Sequence, residues 1–400
     1  MSSKKTVFLT IEGKSLGFYF LLGIFALMVL AGLGASYYME HHGHVVTGMN
    51  NQIVWGMPHV FAVFLIVAAS GALNVASISS AFGKVAYKPL ARLSALLAIT
   101  LLVGGLVVLV LDLGRPDRLI VAMTRYNFKS IFAWNIYLYI GFIGVVAAYL
   151  WMMFEQRMNR FTSAVGTFAF VWRFILTTGT GSIFGFIVAR QAYDAALLAP
   201  TFVIMSLSFG TAVFILMLHF IYSMTGRELG DLLVGRLRNL LSIFVAAVFY
   251  MTLIFHLTNL YGTQHHGVER FLLLEGGVFT QVFWIGQIGI GTLAPLALFW
   301  LPGINKSRGS ILLGSLMVVI GGLSQIFVII IGAQAYPLTL FPGKTVSSSF
   351  FDGAINTYSP SLPEWVLGIS GFGIALLATL IAIRVLPFLP QRLTDAQTES

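Results

Sequence analysis

"LSALLAITLLVGGLVVLVLDLGRPDR", residues Leu93–Arg118, decides the kind of fold this chain adopts. No charged residue occurs from Leu93 to Leu111, and a helix of that length crosses the hydrocarbon core of a bilayer. Asp112, Arg115, Asp117 and Arg118 then follow at once, with Gly114 and Pro116 to break the helix. The stretch predicts a transmembrane helix that ends in a tight charged turn.

The same pattern repeats along the chain. Hydrophobic residues make up 58% of it and charged residues 9%, with a mean hydropathy of +0.90. A soluble domain needs far more polar surface than this. About ten spans are expected, near residues 17–37, 53–80, 92–112, 130–154, 164–189, 200–224, 238–261, 277–301, 309–334 and 364–387. The fold class is therefore an all-α polytopic membrane protein. Alternation at strand period is missing, which argues against a barrel. Cysteine is absent, so disulfides, thiolate-held iron–sulfur clusters and a thiol nucleophile are excluded within this chain. The net charge of +9 reflects lysine and arginine at a cytoplasmic face rather than a nucleic-acid partner. The start, "MSSKKTVFLTIEGK", lacks a small-residue cleavage site and reads as a retained cytoplasmic tail.

Orientation follows from the basic residues. With both termini cytoplasmic, the inner segments hold Lys4, Lys5, Lys14, Lys84, Lys88, Arg92, Arg157, Arg160, Arg227, Arg236, Arg238, Lys306, Arg308 and Arg392. The outer segments hold Arg190, Arg270, Lys344 and the cluster Arg115, Arg118, Arg125 and Lys129. That cluster opposes the charge rule that the other loops obey, so it calls for a reason of its own. Residues 336–363 form an outer loop rich in aromatics and proline, and a loop of that length is usually functional or a docking surface.

Several residues have chemistry to offer. Asp112 ends the third span, and Arg115 and Arg118 follow at a spacing that lets them fold back over its carboxylate. The turn either handles protons or simply holds the interface. His59, just after Pro58 in the second span, is expected at the depth of Asp112 and Asn135. A neutral histidine there can donate to a carbonyl oxygen and relay a proton, or merely bond a helix backbone. Asn135 needs a partner in lipid. Trp134 and Tyr137 also suit an interface belt. Arg173 lies well inside the fifth span with no Asp or Glu at its depth, and serves a proton path or locks the bundle. Asn74, His219, His256, Gln281, Gln287 and Gln325 are the other notable intramembrane polar residues. The histidines do not form the facing axial pairs of a haem protein. His41, His42, His44, His265 and His266 lie in loops, and no metal is assigned to them.

"DLGRPDR", followed by "YNFKSIFAW", resembles the NrfD and polysulfide reductase C family of membrane subunits, and "VWGMPHVFAVFLIVAASGALN" looks like that family's Trp-Gly helix start. The likeness runs at least from the second span to the ninth. Within the family, the length, the ten spans and "TGMNNQIVWG" look most like the DsrP branch, the quinone-interacting subunit of the Dsr electron-transfer complex of sulfur metabolism. The resemblance implies a cytoplasmic (inner) membrane protein of a prokaryote. It implies a cytoplasmic tail at 1–16, a first helix and outer loop at 17–52 and four-helix bundles at 53–199 and 200–335. After them come the outer docking loop at 336–363 and a last helix and tail at 364–400. It also implies a quinone (menaquinone or ubiquinone) in the first bundle, no haem or cluster in this chain, and a ferredoxin-like iron–sulfur subunit on the outer face among further redox subunits. Carried over, His59 and Asp112 are the catalytic candidates. Trp55, Arg115, Asn135, Tyr126 and Tyr137 join them around the quinone, while Arg118, Asn74 and Arg173 stay assigned to a proton path or to structure. Two other classes remain open: a secondary transporter, or a structural anchor without a working quinone site.

Overall fold

The computed structural model describes residues 7–338 and 353–395. Among the described residues ten helices are long and apolar enough to cross a membrane: spans 1 to 10 are Leu16–His42, Met57–Ser80, Val85–Leu111, Ile131–Phe154, Gln156–Gly185, Leu198–Thr225, Asp231–Tyr261, Val278–Trp300, Arg308–Ala335 and Leu362–Val385. Spans 2 to 5 pack each on the next, and span 5 returns to the C-terminal half of span 2. Spans 6 to 9 close a second ring in the same way, and spans 2 and 6 join the two. Span 10 lies over spans 2 and 3, with span 1 outside it.

Span 2 is the axis of the molecule. Every residue from Met57 to Ala72 is buried except His59. A helix that is apolar all round belongs inside a protein, and the one position that escapes burial is the histidine. Spans 2 and 6 cross at Gly71 and Gly210, where a Cβ on Gly210 would lie 2.1 Å from the Gly71 carbonyl carbon. Small residues allow this backbone approach, which packs helices where lipid offers no hydrophobic drive.

Span 2 is also broken, between Ala72 and Asn74. The buried Ser94 hydroxyl of span 3 donates to Ala72 O at 2.6 Å and accepts from Ala76 N at 3.0 Å. It thus stands in the ladder where Ala76 would have bonded Ala72, a recognised cause of a kink. In the second ring the backbone widens to π-helix at Phe271–Glu275, Val282–Leu293 and Val328–Gly332.

The first and last described segments are tied together. Strand β1 (Phe8–Leu9) pairs antiparallel with β2 (Leu389–Pro390), and Leu229 bridges Leu393. Arg227 donates to Thr10 O at 3.0 Å and to Leu389 O at 3.3 Å. Both ends and the turn between spans 6 and 7 therefore share one face. Of the expected docking loop, residues 339–352 lie outside the described residues. Its last part, from Gly353, folds back onto the opposite face.

Candidate functional site

His59 Nδ1 and Asp112 Oδ2 stand 2.8 Å apart, with the histidine side chain 19% exposed and the carboxylate 0%. The sequence makes this meeting possible. Gly56 and Pro58 start span 2 just before His59, and Pro costs little in a first turn. Asp112 caps the other end of a neighbouring antiparallel span, its N–H donating to Val108 O at 3.0 Å. The pair is an ion contact by distance, but the angles of a hydrogen bond are not met. Nδ1 and both carboxylate oxygens are left without a hydrogen-bond partner. A buried carboxylate without donors is costly, and here the His59 ring stands against it.

A second buried carboxylate lies close by. Glu364, 0% exposed, opens span 10 in a capping box with Ser361. Its Oε2 accepts from Gly48 N and Ser361 N, each at 2.7 Å. The Tyr358 hydroxyl donates to Oε1 at 2.5 Å and accepts from Met57 N at 2.7 Å, so it pins the start of span 2. Burial first, then the hydrogen bond and charge of Glu364, push the Tyr358 phenol well above its ordinary range, and Asp112 adds to the effect.

The segment leading to His59 is held from the second ring. Gln334 Oε1 accepts from Val54 N at 2.9 Å and Trp55 N at 3.1 Å, while its Nε2 donates to Trp55 O at 3.0 Å and Ile330 O at 2.9 Å. Arg190 donates to Gln52 O and Gln334 O at 2.7 and 3.1 Å, and burial lowers its affinity for its proton. Gln52 Nε2 reaches the carbonyls of Gln334 and Ala335, both at 3.0 Å. Backbone groups that a membrane cannot hydrate are thereby satisfied.

The other sequence-derived candidates divide. The Trp55 ring stacks 6.2 Å from that of His59 and lies 6.0 Å from Phe132, one turn before Asn135. Asn135 Nδ2 donates to Ile131 O at 2.9 Å and Gly179 O at 3.0 Å, and its buried Oδ1 has no partner. Tyr126 and Tyr137 form a separate surface cluster with Phe128 and Trp134, and the Tyr137 hydroxyl donates to Met123 O at 2.6 Å. Among the described residues neither touches His59 or Asp112.

Arg115 differs from expectation. It does not fold over Asp112 but makes two hydrogen bonds to Asp117, both 3.1 Å, at the exposed surface. Pro116 keeps Arg115 out of the helical region, at φ −143° and ψ 67°, and the nearer carboxylate captures the guanidinium. This pairing holds the Asp117 carboxyl below its usual range. Arg118 is exposed and has no ion pair among the described residues. Arg173 is 1% exposed; it donates to Ser70 O at 3.1 Å, and its guanidinium lies 4.7 Å from the Phe174 ring centre. Its Nε and one terminal nitrogen have no partner. Ser70 is eleven residues along span 2 from His59, about 16 Å, and the intervening Val60–Ala69 are buried and apolar apart from their backbone. Asn74 donates weakly to Thr211 of span 6, at 3.5 Å.

The sequence reading missed Glu364, Tyr358, Gln334 and Arg190 at this site. Only Glu364 left a local signal, the Ser361-x-x-Glu364 capping box. It also missed Glu269, which pairs with His256 in the second ring, Nδ1 to Oε2 at 2.6 Å. No group of three or more potential metal ligands occurs among the described residues.

Comparison with known proteins gives a consistent result. A family model described as "Polysulphide reductase, NrfD" matches residues 45–337. The chain is 26% identical over 395 residues to the "Hdr-like menaquinol oxidoreductase integral membrane subunit" of Archaeoglobus fulgidus, covering 98% of this chain and 99% of that protein. It is 25% identical over 413 residues to the C subunit of the selenate reductase of Mesobacillus selenatarsenatis, covering 91% and 93%. It is 21% identical over 391 residues to the "Menaquinone reductase, integral membrane subunit" of Nitratidesulfovibrio vulgaris, covering 90% and 89%.

Proposed function

The chain belongs to the polysulphide reductase NrfD family, and on that premise we propose that it is the quinone- or quinol-interacting membrane subunit of a multi-subunit redox complex. In this reading it exchanges electrons between the quinone pool of a prokaryotic inner membrane and an iron–sulfur subunit, in sulfur-compound metabolism. The observation that carries the reading is the His59–Asp112 contact, at the one position from Met57 to Ala72 that is not buried.

The residues present fit a quinone. His59 Nε2 has no hydrogen-bond partner among the described residues, the Asp112 oxygens lack donors, and the Trp55 ring offers a flat apolar wall. A quinone bound there supplies two-electron chemistry coupled to two protons. His59 Nε2 is placed to donate to a carbonyl oxygen or to accept from a hydroxyl. Asp112 lies against the Nδ1 edge of His59 and balances its charge when it is protonated. Asn135 Oδ1 offers a second acceptor one turn beyond Phe132. The apolar core of span 2 keeps bulk water from below the pair.

Both termini are taken as cytoplasmic, supported by the lysines and arginines of the face that carries β1 and β2. Residues 113–130 then lie on the outer face, exposed and cationic, and are the proposed docking surface for the iron–sulfur partner. The test is quinol-dependent turnover by the purified complex. His59→Ala and Asp112→Asn should each lower it by about 10²-fold. Full turnover in both would remove the reading, and solute uptake by this chain alone in vesicles would favour a transporter.

A further inference from the structure

The second ring contains a buried acid–base pair that the proposed quinone site does not use. Glu269, 0% exposed, accepts from Asn259 Nδ2 at 2.8 Å and meets His256 Nδ1 at 2.6 Å. The glutamate comes from the short helix His266–Arg270, which folds back against span 7. His256 lies five residues before the end of span 7, about 7.5 Å along the axis.

Beside the pair is a cavity of about 40 Å³, lined among others by Thr201, Thr252, His256, Leu272, Gln287 and Gln325. A single water needs roughly 10–15 Å³ of such space and two to four polar partners. Partners are at hand: Gln287 Oε1 is buried without one, Gln325 Nε2 makes only a long contact to Thr252 Oγ1 at 3.4 Å, and His256 Nε2 has none among the described residues. All three π-helical stretches contribute to this wall, through Leu272, Gln287 and Val328. Helices widened in this way often mark functional sites.

Towards the opposite face, spans 8 and 9 come into close contact. One turn inward from Gln287 and Gln325, Gly291 and Gly321 pack backbone to backbone, and a Cβ on Gly321 would lie 1.9 Å from the Gly291 Cα. The basic groups of the surrounding elements are engaged elsewhere, and Asp194, near the lining residue Ala192, is exposed. Arg270 turns out to Glu275 at 2.7 Å, Arg190 bonds Gln52 and Gln334, His265 bonds Gln191 O at 2.9 Å, and His266 bonds Leu260 O at 2.8 Å. Spans 8 and 9 line the cavity with Gln287, Gln325 and the apolar Val328, Ile329 and Ala333, and Phe283 packs its ring on His256.

We propose that the second ring holds a proton-storage site, in which Glu269 takes up a proton through His256 from water in this cavity and exchanges it only with the face that carries residues 262–277. In the step, a proton binds His256 Nε2, the Nδ1–H bond breaks, and an O–H bond forms on Glu269 Oε2. One proton is gained, the imidazole stays neutral, and no electrons move.

The experiment uses the purified full-length chain in phosphatidylcholine liposomes, with infrared difference spectra between acidic and alkaline buffer. A protonated-carboxyl band is expected that disappears in Glu269→Gln and persists in Asp112→Asn. It should respond to pH on the 262–277 face and not on the face of β1 and β2. Gln287→Leu, which removes a partner for the water, should slow the response by about tenfold or more. A band unchanged in Glu269→Gln overturns the site, and an equal response to pH from both faces overturns the one-sided access. Should Glu269→Gln fail to accumulate, Glu269→Asp carries the test, because the band must then shift; an unmoved band overturns the proposal.

Discussion

His59 and Asp112 meet at 2.8 Å although they start and end different spans, and the only unburied residue from Met57 to Ala72 is the histidine of this pair. Everything around them serves that meeting. Tyr358 and Glu364 pin the start of span 2, Gln334 and Arg190 hold the segment before it, and Gly71 with Gly210 fixes the span against the second ring.

The break in span 2 depends on one hydroxyl. Ser94→Ala removes the group that serves both Ala72 O and Ala76 N, and should destabilise the protein by about 1–3 kcal/mol. Thermal unfolding in detergent should show a lowered midpoint for Ser94→Ala and a near-normal one for Ser94→Thr. An unchanged midpoint in the alanine variant would mean that the helix closes its own ladder there.

Among the described residues the Gln334 side chain makes four hydrogen bonds, three of them to Val54 and Trp55. Gln334→Leu leaves those backbone groups unpaired, at a cost of about 1–3 kcal/mol or more. The segment that carries Trp55 and His59 should loosen, which predicts a raised KM for quinol and altered Trp fluorescence. A variant with wild-type KM would detach this knot from the site.

Tyr358 predicts an alkaline dependence. Its phenol is raised in the folded protein, so above the ordinary tyrosine value of about 10 the folded state binds more protons than the unfolded one. Stability then falls as pH rises; the contribution is complete below that value and lost above it. Tyr358→Phe should flatten the alkaline fall in thermal midpoint. A slope as steep as that of the wild type would show that the phenol is not the group responsible.

The cluster at 113–130 is exposed, and Arg115 and Arg118 make no bond to the buried pair. Charge reversal at both, Arg115→Glu with Arg118→Glu, should leave the thermal midpoint of this chain unchanged. Association with the proposed iron–sulfur subunit should weaken, most clearly at low ionic strength where exposed charges act furthest. Co-purification equal to the wild type would place docking elsewhere.

Much of this architecture was legible in the sequence, because hydropathy alone marks a membrane helix. The ten spans fall close to where the apolar runs predicted them. His59 and Asp112 could be matched in depth because alternating spans bring the start of one level with the end of the next. Arg115 was misread because spacing alone does not choose between two carboxylates, and Asp117 lies on the same turn. Gln334 was invisible, since its partners are backbone groups of a distant segment. Glu269 sits in a loop by sequence, and only the fold-back of a short helix buries it against His256. The break in span 2 was not read from Gly71 just before it, because its cause is a serine on another helix.

The most direct measurement of the central claim is photolabelling of the purified complex with a quinone that carries a photoreactive ring substituent, followed by peptide mapping. The account predicts label on the peptide that contains Trp55 and His59 or on the start of span 4 near Asn135. That label should be lost in Asp112→Asn. Label confined to spans 6 to 9, unchanged in Asp112→Asn, would contradict it.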